Sequence, residues 1–244
     1  MLRKRIIPCL LLQNQSLVKT ISFKKPKYIG DALNTVRIFN ELEVDELIFL
    51  DFRASLKKAK PNYELLKNIA GECFMPLAYG GGIESLDQAK KIIEIGFEKI
   101  IINSAAYENK QLITKISHEL GSQSVIASID VKKNFFGKYS SYSNSGKKKE
   151  NNNPFEWAKE LERLGAGEIM ITSINKEGTW GGFDLELKKR ILNQVNIPII
   201  GHGGAGSIED IDELFKIGAS AAAIGSMVVY QKKGMGVLIN FLNR

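Results

Sequence analysis

Cysteine and histidine are scarce in this chain of 244 residues, which has two of each: Cys9, Cys73, His118 and His202. Two cysteines so far apart, each in apolar surroundings, make neither a disulfide framework nor a metal pair, and they read as small buried hydrophobes. No HExxH or CxxC spacing occurs, so neither a metal nor a cofactor is expected. No Pro/Gly/Ser-rich linker divides the chain, and the expectation is one domain over 1–244. Long hydrophobic runs are also lacking. The most apolar stretch near the start, 6–12, contains Pro8 and falls far short of the roughly 20 residues a membrane span needs. It has no small-residue cleavage site, so it reads as a buried strand of a cytoplasmic protein with no membrane contact.

The net charge is +7. Lysines are spread over helix faces and two loops without the compact stripe of arginine and aromatics that nucleic acid requires, and no nucleic-acid partner is expected. A basic surface that collects anionic metabolites is the simpler explanation. The densest cluster, 146–153, is either a solvated loop or a substrate-attracting one.

What the chain does have is a repeat. Pro76, Gly81, Gly82, Ser85, Ile95, Gly96, Ile102 and Ser104 recur 122 residues later as Pro198, Gly203, Gly204, Ser207, Ile217, Gly218, Ile224 and Ser226. Eight identities in 29 positions exceed the roughly two that average residue usage gives by chance. Each copy runs apolar strand, glycine pair, Ser, amphipathic helix ended by Gly, apolar strand, then Ser. A glycine pair after a strand lets backbone N–H groups approach an anion, and the later Ser adds a donor. Two copies imply two phosphate sites.

Short apolar runs alternate with helical patterns throughout, the signature of βα units around a parallel sheet. Strands are expected at 5–11, 46–51, 75–80, 99–103, 124–130, 168–173, 198–202 and 221–225, each followed by a helix. Ser85 and Ser207 read as N-caps, Gly96 and Gly218 as helix stops. Eight units with twofold repetition predict a closed (β/α)8 barrel of half-barrels near 1–122 and 123–244; an open doubly wound sheet leaves the repeat unexplained.

Barrel chemistry sits at the C-terminal strand ends. That rule nominates Leu11, Asp51, Gly81, Gly82, Asn103, Ser104, Asp130, Thr172, Ser173, Gly203, Gly204, Gly225 and Ser226. A ligand with a phosphate at each end would bridge the mouth, with Asp51 and Asp130 near its middle. Either aspartate can serve as general acid or base or cap the next turn, and for Asp130 the catalytic role is favoured. At the opposite end, Arg5, Glu46, Lys99 and Glu168 fall at strand starts with alternating sign. They read either as a salt-bridged plug or as a gate over an axial passage.

These positions together resemble the cyclase subunit of imidazole glycerol phosphate synthase, over nearly the whole chain. The resemblance is carried in order by Lys4-Arg5-Ile6-Ile7-Pro8-Cys9-Leu10, Asp45-Glu46-Leu47-Ile48-Phe49-Leu50-Asp51, Gly80-Gly81-Gly82-Ile83 and Ile102-Asn103-Ser104-Ala105-Ala106. Glu156-Trp157-Ala158-Lys159-Glu160, Leu164-Gly165-Ala166-Gly167-Glu168-Ile169 and Gly203-Gly204-Ala205-Gly206 complete it. It implies a barrel that binds a bisphosphorylated aminoimidazole precursor at its top and receives ammonia through its core from a glutaminase docked underneath. It also implies that Arg5, Glu46, Lys99 and Glu168 are the ammonia gate, which raises that reading above the plug, and that Lys19 is the substrate-loop lysine.

The departures matter as much. The family uses an aspartate at the end of strand one and another at the end of strand five. Asp130 fills the second position, but Leu11 stands at the first. Where the family has Asp-Arg-Asp-Gly-Thr after strand six, this chain has Asn175-Lys176-Glu177-Gly178-Thr179, keeping Gly178 on the substrate side. Where strand seven ends Ala-Ser, it has Gly201-His202. The ammonia-handling half is intact and the ring-forming half altered. The leading expectation is a divergent subunit that docks a glutaminase and supplies ammonia to another amidation, such as acetamidino-sugar formation with a separate sugar amidotransferase. The alternatives are a true cyclase–lyase subunit of histidine biosynthesis, and a sugar-phosphate isomerase on the same duplicated scaffold, against which Leu11 counts equally.

Overall fold

In the computed structural model, which describes residues 4–242, the alternating pattern closes on itself. The first half holds β1 (Arg5–Gln13), β2 (Ser16–Ile21), β3 (Lys24–Asp31), α1 (Ala32–Glu41), β4 (Leu47–Asp51), α2 (Ala54–Lys57), α3 (Tyr63–Glu72), β5 (Leu77–Gly80), α4 (Leu86–Ile95), β6 (Lys99–Ile102), α5 (Ser104–Glu108) and α6 (Gln111–Leu120). The second holds β7 (Val125–Lys133), β8 (Tyr139–Ser143), β9 (Lys148–Lys149), α7 (Pro154–Arg163), β10 (Glu168–Ser173), α8 (Leu185–Leu192), β11 (Ile199–His202), α9 (Ile208–Lys216), β12 (Ala221–Ile224) and α10 (Ser226–Val229). Strands β1, β4, β5, β6, β7, β10, β11 and β12 pair in parallel in that order, and β12 returns to β1. This is the expected (β/α)8 barrel.

Because successive strand residues face opposite sides, each barrel strand contributes to two cores. Inward residues Ile7, Cys9, Ile48, Ala78, Ile101, Ile126, Met170, Ile200, Ala221 and Ala223 fill the barrel axis. Outward residues such as Leu10, Phe49, Ile169 and Ile199 pack beneath the helices in a larger core. A strand buried on both faces has to be apolar throughout, which is why the eight runs were legible.

The helix ends follow their chemistry. Ser85 Oγ accepts the N–H of Gln88 at 3.2 Å and Ser207 Oγ that of Asp210 at 3.3 Å, while the side chains of Gln88 and Asp210 return bonds to the cap residues' N–H groups. Gly96 ends α4 in the left-handed region at φ 119°. Gly218 follows α9 at φ 107°, again a conformation suited to glycine.

Two expectations are corrected. Among the described residues there are seven long outer helices, not eight: after β12 there is only the four-residue α10, and the segment behind it pairs Tyr230 with Val237 while Ile239, Phe241 and Leu242 pack on the outer core. The cluster at 146–153 is not a plain loop, since Lys148 and Lys149 form β9 and close an antiparallel ladder with β8 and the end of β7. Of the buried alternate positions of β8 only Tyr139 is apolar and the other two, Ser141 and Ser143, are polar, so no hydrophobic period marks it. The β2–β3 hairpin, rich in exposed lysine, escaped notice for the same reason.

Ser207→Ala removes an N-cap acceptor and is expected to lower unfolding free energy by about 1 kcal/mol, read as a shift in urea midpoint at unchanged slope.

Candidate active site

At the N-terminal end of the barrel the four charges form a closed ring. Arg5 Nη1 donates to Glu46 Oε2 at 2.8 Å and its other terminal nitrogen to Glu168. Lys99 Nζ donates to Glu168 Oε1 at 2.7 Å and to Glu46 Oε1 at 3.3 Å. Burial works against ionised Glu168, but hydrogen bonds and charge from Arg5 and Lys99 outweigh it and hold the carboxyl below its usual range. Above the ring the axis is apolar until the level of Ser128.

At the C-terminal end a cleft of about 760 Å³, counting its open mouth, is walled by the ends of β1, β4, β5, β6, β7, β10 and β11. Leu11, Asp51, Gly81, Gly82, Asn103, Ser104, Asp130, Thr172 and His202 all border it. Asp130 accepts from Asn103 Nδ2 at 2.9 Å. Part of its carboxyl opens to the cleft, yet the low-dielectric walls raise its pKa to about 7, against hydrogen bonds from Thr172 and Asn103 and with help from the charge of Glu177. Asp51 is also raised, by burial, but accepts the N–H of Arg53 at 3.3 Å and so caps the turn into α2. The capping alternative therefore describes Asp51 and not Asp130. Leu11, 3% exposed, is in register with Leu50 and Val18.

The glycine pairs are obligatory in this geometry. A Cβ on Gly81, at φ 127°, would meet the Asp51 carbonyl oxygen at 2.5 Å, and Gly204, at φ 119°, lies hard against the Gly182 carbonyl. The second copy borders a narrow crevice of its own, about 10 Å³ of free space, lined by Gly203, Gly204, Gly225, Ser226, Gly178 and Lys19. The two glycine pairs with their serines thus border two separate hollows on opposite sides of the mouth, with His202 in the wall of both. Ser173 is buried, and its carbonyl caps the turn by accepting the N–H groups of Lys176 and Glu177.

Lys19 enters the second cavity almost fully buried, with Glu177 Oε1 at 3.4 Å; Glu177 is 1% exposed. The other Glu177 oxygen accepts the N–H of Phe23, and its carbonyl accepts that of Ser22. The replacement Glu177 therefore pins the β2–β3 hairpin across the barrel. From the far side the β8–β9 turn closes in: Ser104 Oγ accepts the N–H of Asn144 at 3.0 Å, Ser145 Oγ donates to the Phe52 carbonyl, and Gly146 lies against Phe23.

Two features were not foreseen in these roles. His202 Nδ1 lies 3.1 Å from Thr172 Oγ1, a contact hidden from sequence because the residues belong to different strands. Lys188, on α8, is completely buried with no hydrogen-bond partner for Nζ, and its chain lies with the nearer Leu214 methyls in the space left by Gly201. Burial lowers its pKa to about 8. Among the described residues no group of His, Cys, Asp and Glu suited to a metal ion is found, and no helix is long and apolar enough to cross a membrane.

Two outcomes follow from these charges. Lys19→Met should cost roughly 3 kcal/mol by stranding buried Glu177, and the double variant Lys19→Met/Glu177→Leu should recover much of it, as read by a double-mutant cycle in urea. Asp130 has its folded pKa above its unfolded value near 3.9, so the folded state holds the proton more tightly and stability falls as pH rises from about 4 to about 7. Asp130→Asn should therefore raise the melting temperature at pH 8 and leave it nearly unchanged at pH 4.

Residues 5–234 match the family model described as histidine biosynthesis protein. Over 242 residues, 99% of this chain and 96% of the relative, the chain is 50% identical to the "Putative imidazole glycerol phosphate synthase subunit hisF2" of Pseudomonas aeruginosa. It is 49% identical to the "Putative imidazole glycerol phosphate synthase subunit HisF" of Leptospira borgpetersenii, over all of this chain and 96% of the relative. To the imidazole glycerol phosphate synthase subunit HisF of Thermococcus onnurineus it is 42% identical, over 99% of this chain and 96% of the relative. The chain belongs to the histidine biosynthesis protein family.

Proposed function

We propose that this family member is the barrel subunit of a glutamine-dependent synthase, taking ammonia from a glutaminase at its N-terminal face and passing it along the axis to the C-terminal mouth. The observation that carries the reading is the column formed by the inward residues. A ring of four charges closes one end, ten apolar side chains fill the middle, and Asp130 stands at the other end. An apolar passage disfavours ammonium, whose desolvation is costly, and admits neutral ammonia when the ring parts. Arg5, Glu46, Lys99 and Glu168 act as the gate. A ligand phosphorylated at both ends spans the two cavities, one end at Gly81, Gly82 and Ser104, the other at Gly203, Gly204, Gly225 and Ser226 with Lys19 and Gly178 alongside. Neither metal nor cofactor takes part.

The acceptor differs from that of an ordinary cyclase subunit because Leu11 cannot exchange a proton, and loss of one member of an acid–base pair forfeits about 10² to 10⁴ in rate. The ammonia serves another amidation, in which an acetamido sugar becomes an acetamidino sugar on a separate amidotransferase. A second reading, the cyclase–lyase step itself, is favoured by one feature: Asp130 is held by Asn103 and Thr172 with a pKa suited to acid–base work at neutral pH.

The test is to incubate the purified protein with the bisphosphorylated aminoimidazole precursor and free ammonium. No imidazole glycerol phosphate, with the precursor still bound, supports the divergent amidation; turnover like that of an ordinary cyclase subunit overturns it. For the gate, Lys99→Glu should lower glutamine-driven product formation about tenfold or more, about 1.4 kcal/mol in barrier, and spare the ammonium-driven reaction. A fall in melting temperature with both reactions equally affected would instead identify a stability plug.

A further inference from the structure

The inward face of three adjacent strands carries three polar side chains at one level. Thr172 on β10 is in register with Asp130 on β7 at one side and with His202 on β11 at the other. It is 1% exposed, its hydroxyl lies 3.1 Å from His202 Nδ1, and Asp130 is its neighbour in register on the other side. Asn103 Nδ2 fixes that carboxyl from the opposite side at 2.9 Å.

A threonine hydroxyl has one hydrogen to give, so its two neighbours cannot both receive it. When Asp130 is a carboxylate it takes the Thr172 hydrogen, the Thr172 oxygen becomes an acceptor, and the imidazole must carry its proton on Nδ1, leaving Nε2 bare. When Asp130 is neutral the chain reverses: the carboxyl donates to Thr172, Thr172 donates to Nδ1, and the imidazole proton sits on Nε2. The state of Asp130 and the tautomer of His202 are thus one variable.

We propose that Asp130, Thr172 and His202 form a single proton relay whose outer end, His202 Nε2, supplies from strand β11 the second acid–base group that Leu11 withholds from β1. A reacting group in the cleft gives a proton to Nε2, Nδ1 passes its own to Thr172, and the Thr172 hydrogen moves to Asp130. One proton enters and none is lost; the negative charge leaves Asp130 and ends on the deprotonated ligand group. Run in reverse, the relay protonates the ligand. His202 borders both cavities, so the relay serves a ligand that spans them.

The surrounding charges favour this use. Asp130 faces Glu177, and its charge is felt by Cys9 and Tyr107; His202 faces Lys19 and Lys188. Burial and those two lysines press the His202 pKa down to about 3, which keeps the imidazole neutral and confines it to the choice of tautomer. Asp130, at about 7, changes state near neutral pH.

The relay rests on the proposed function only for the group that exchanges the proton, and its test reads the imidazole directly, so it fails or stands apart from the ammonia assays. With only two histidines in the chain, nitrogen-15 NMR of histidine-labelled full-length protein gives two ring systems, and His118→Gln assigns them. Between about pH 5 and 9 His202 is expected to switch from the Nε2–H to the Nδ1–H tautomer at the midpoint at which the Asp130 carboxyl carbon titrates. Thr172→Val should abolish that coupling and Thr172→Ser, which keeps the hydroxyl and guards against simple misfolding, should retain it. A single His202 tautomer throughout, a midpoint different from that of Asp130, or coupling that survives in Thr172→Val would overturn the relay.

Discussion

Everything in this molecule hangs on the closed parallel ladder and its two-residue side-chain period. Closure fixes which face of each strand looks at the axis, and the period then sorts each sequence by level. On β1 the inward residues are Arg5, Ile7, Cys9 and Leu11; on β10 they are Glu168, Met170 and Thr172. The same alternation therefore sets a charge at the floor, apolar groups in the middle and a polar layer at the mouth. A one-residue slip of any strand would exchange its axis residues for those meant for the helices.

The upper layer is held by contacts that cross the barrel. Glu177 reaches from the loop after β10 to Lys19 and Phe23 of the β2–β3 hairpin, linking units one and six. Leu11 adjoins that hairpin in the ladder, opposite Val18. The departures at 11, 177 and 202 thus lie in one connected region, not three.

The architecture was legible because strands buried on both faces must be apolar along their whole length, and because the repeat exposed both glycine cradles. Ring residues were legible as charges interrupting the starts of such runs. The hairpins were not, since Ser141, Ser143 and the lysines of β3 lack a hydrophobic period. An eighth helix was expected from the alternating pattern, whereas 230–242 covers the last unit with Ile239, Phe241 and Leu242 in irregular backbone. The contact between Thr172 and His202 depends on the register of neighbouring strands, which spacing along the chain does not encode.

The turn between β8 and β9 gives the N–H of Asn144 to the Ser104 oxygen. A hydroxyl that accepts on its oxygen still has its hydrogen to give, and a bond received on the oxygen polarises the O–H and strengthens it as a donor. The hairpin tip thus primes the Ser104 hydroxyl and does not block it.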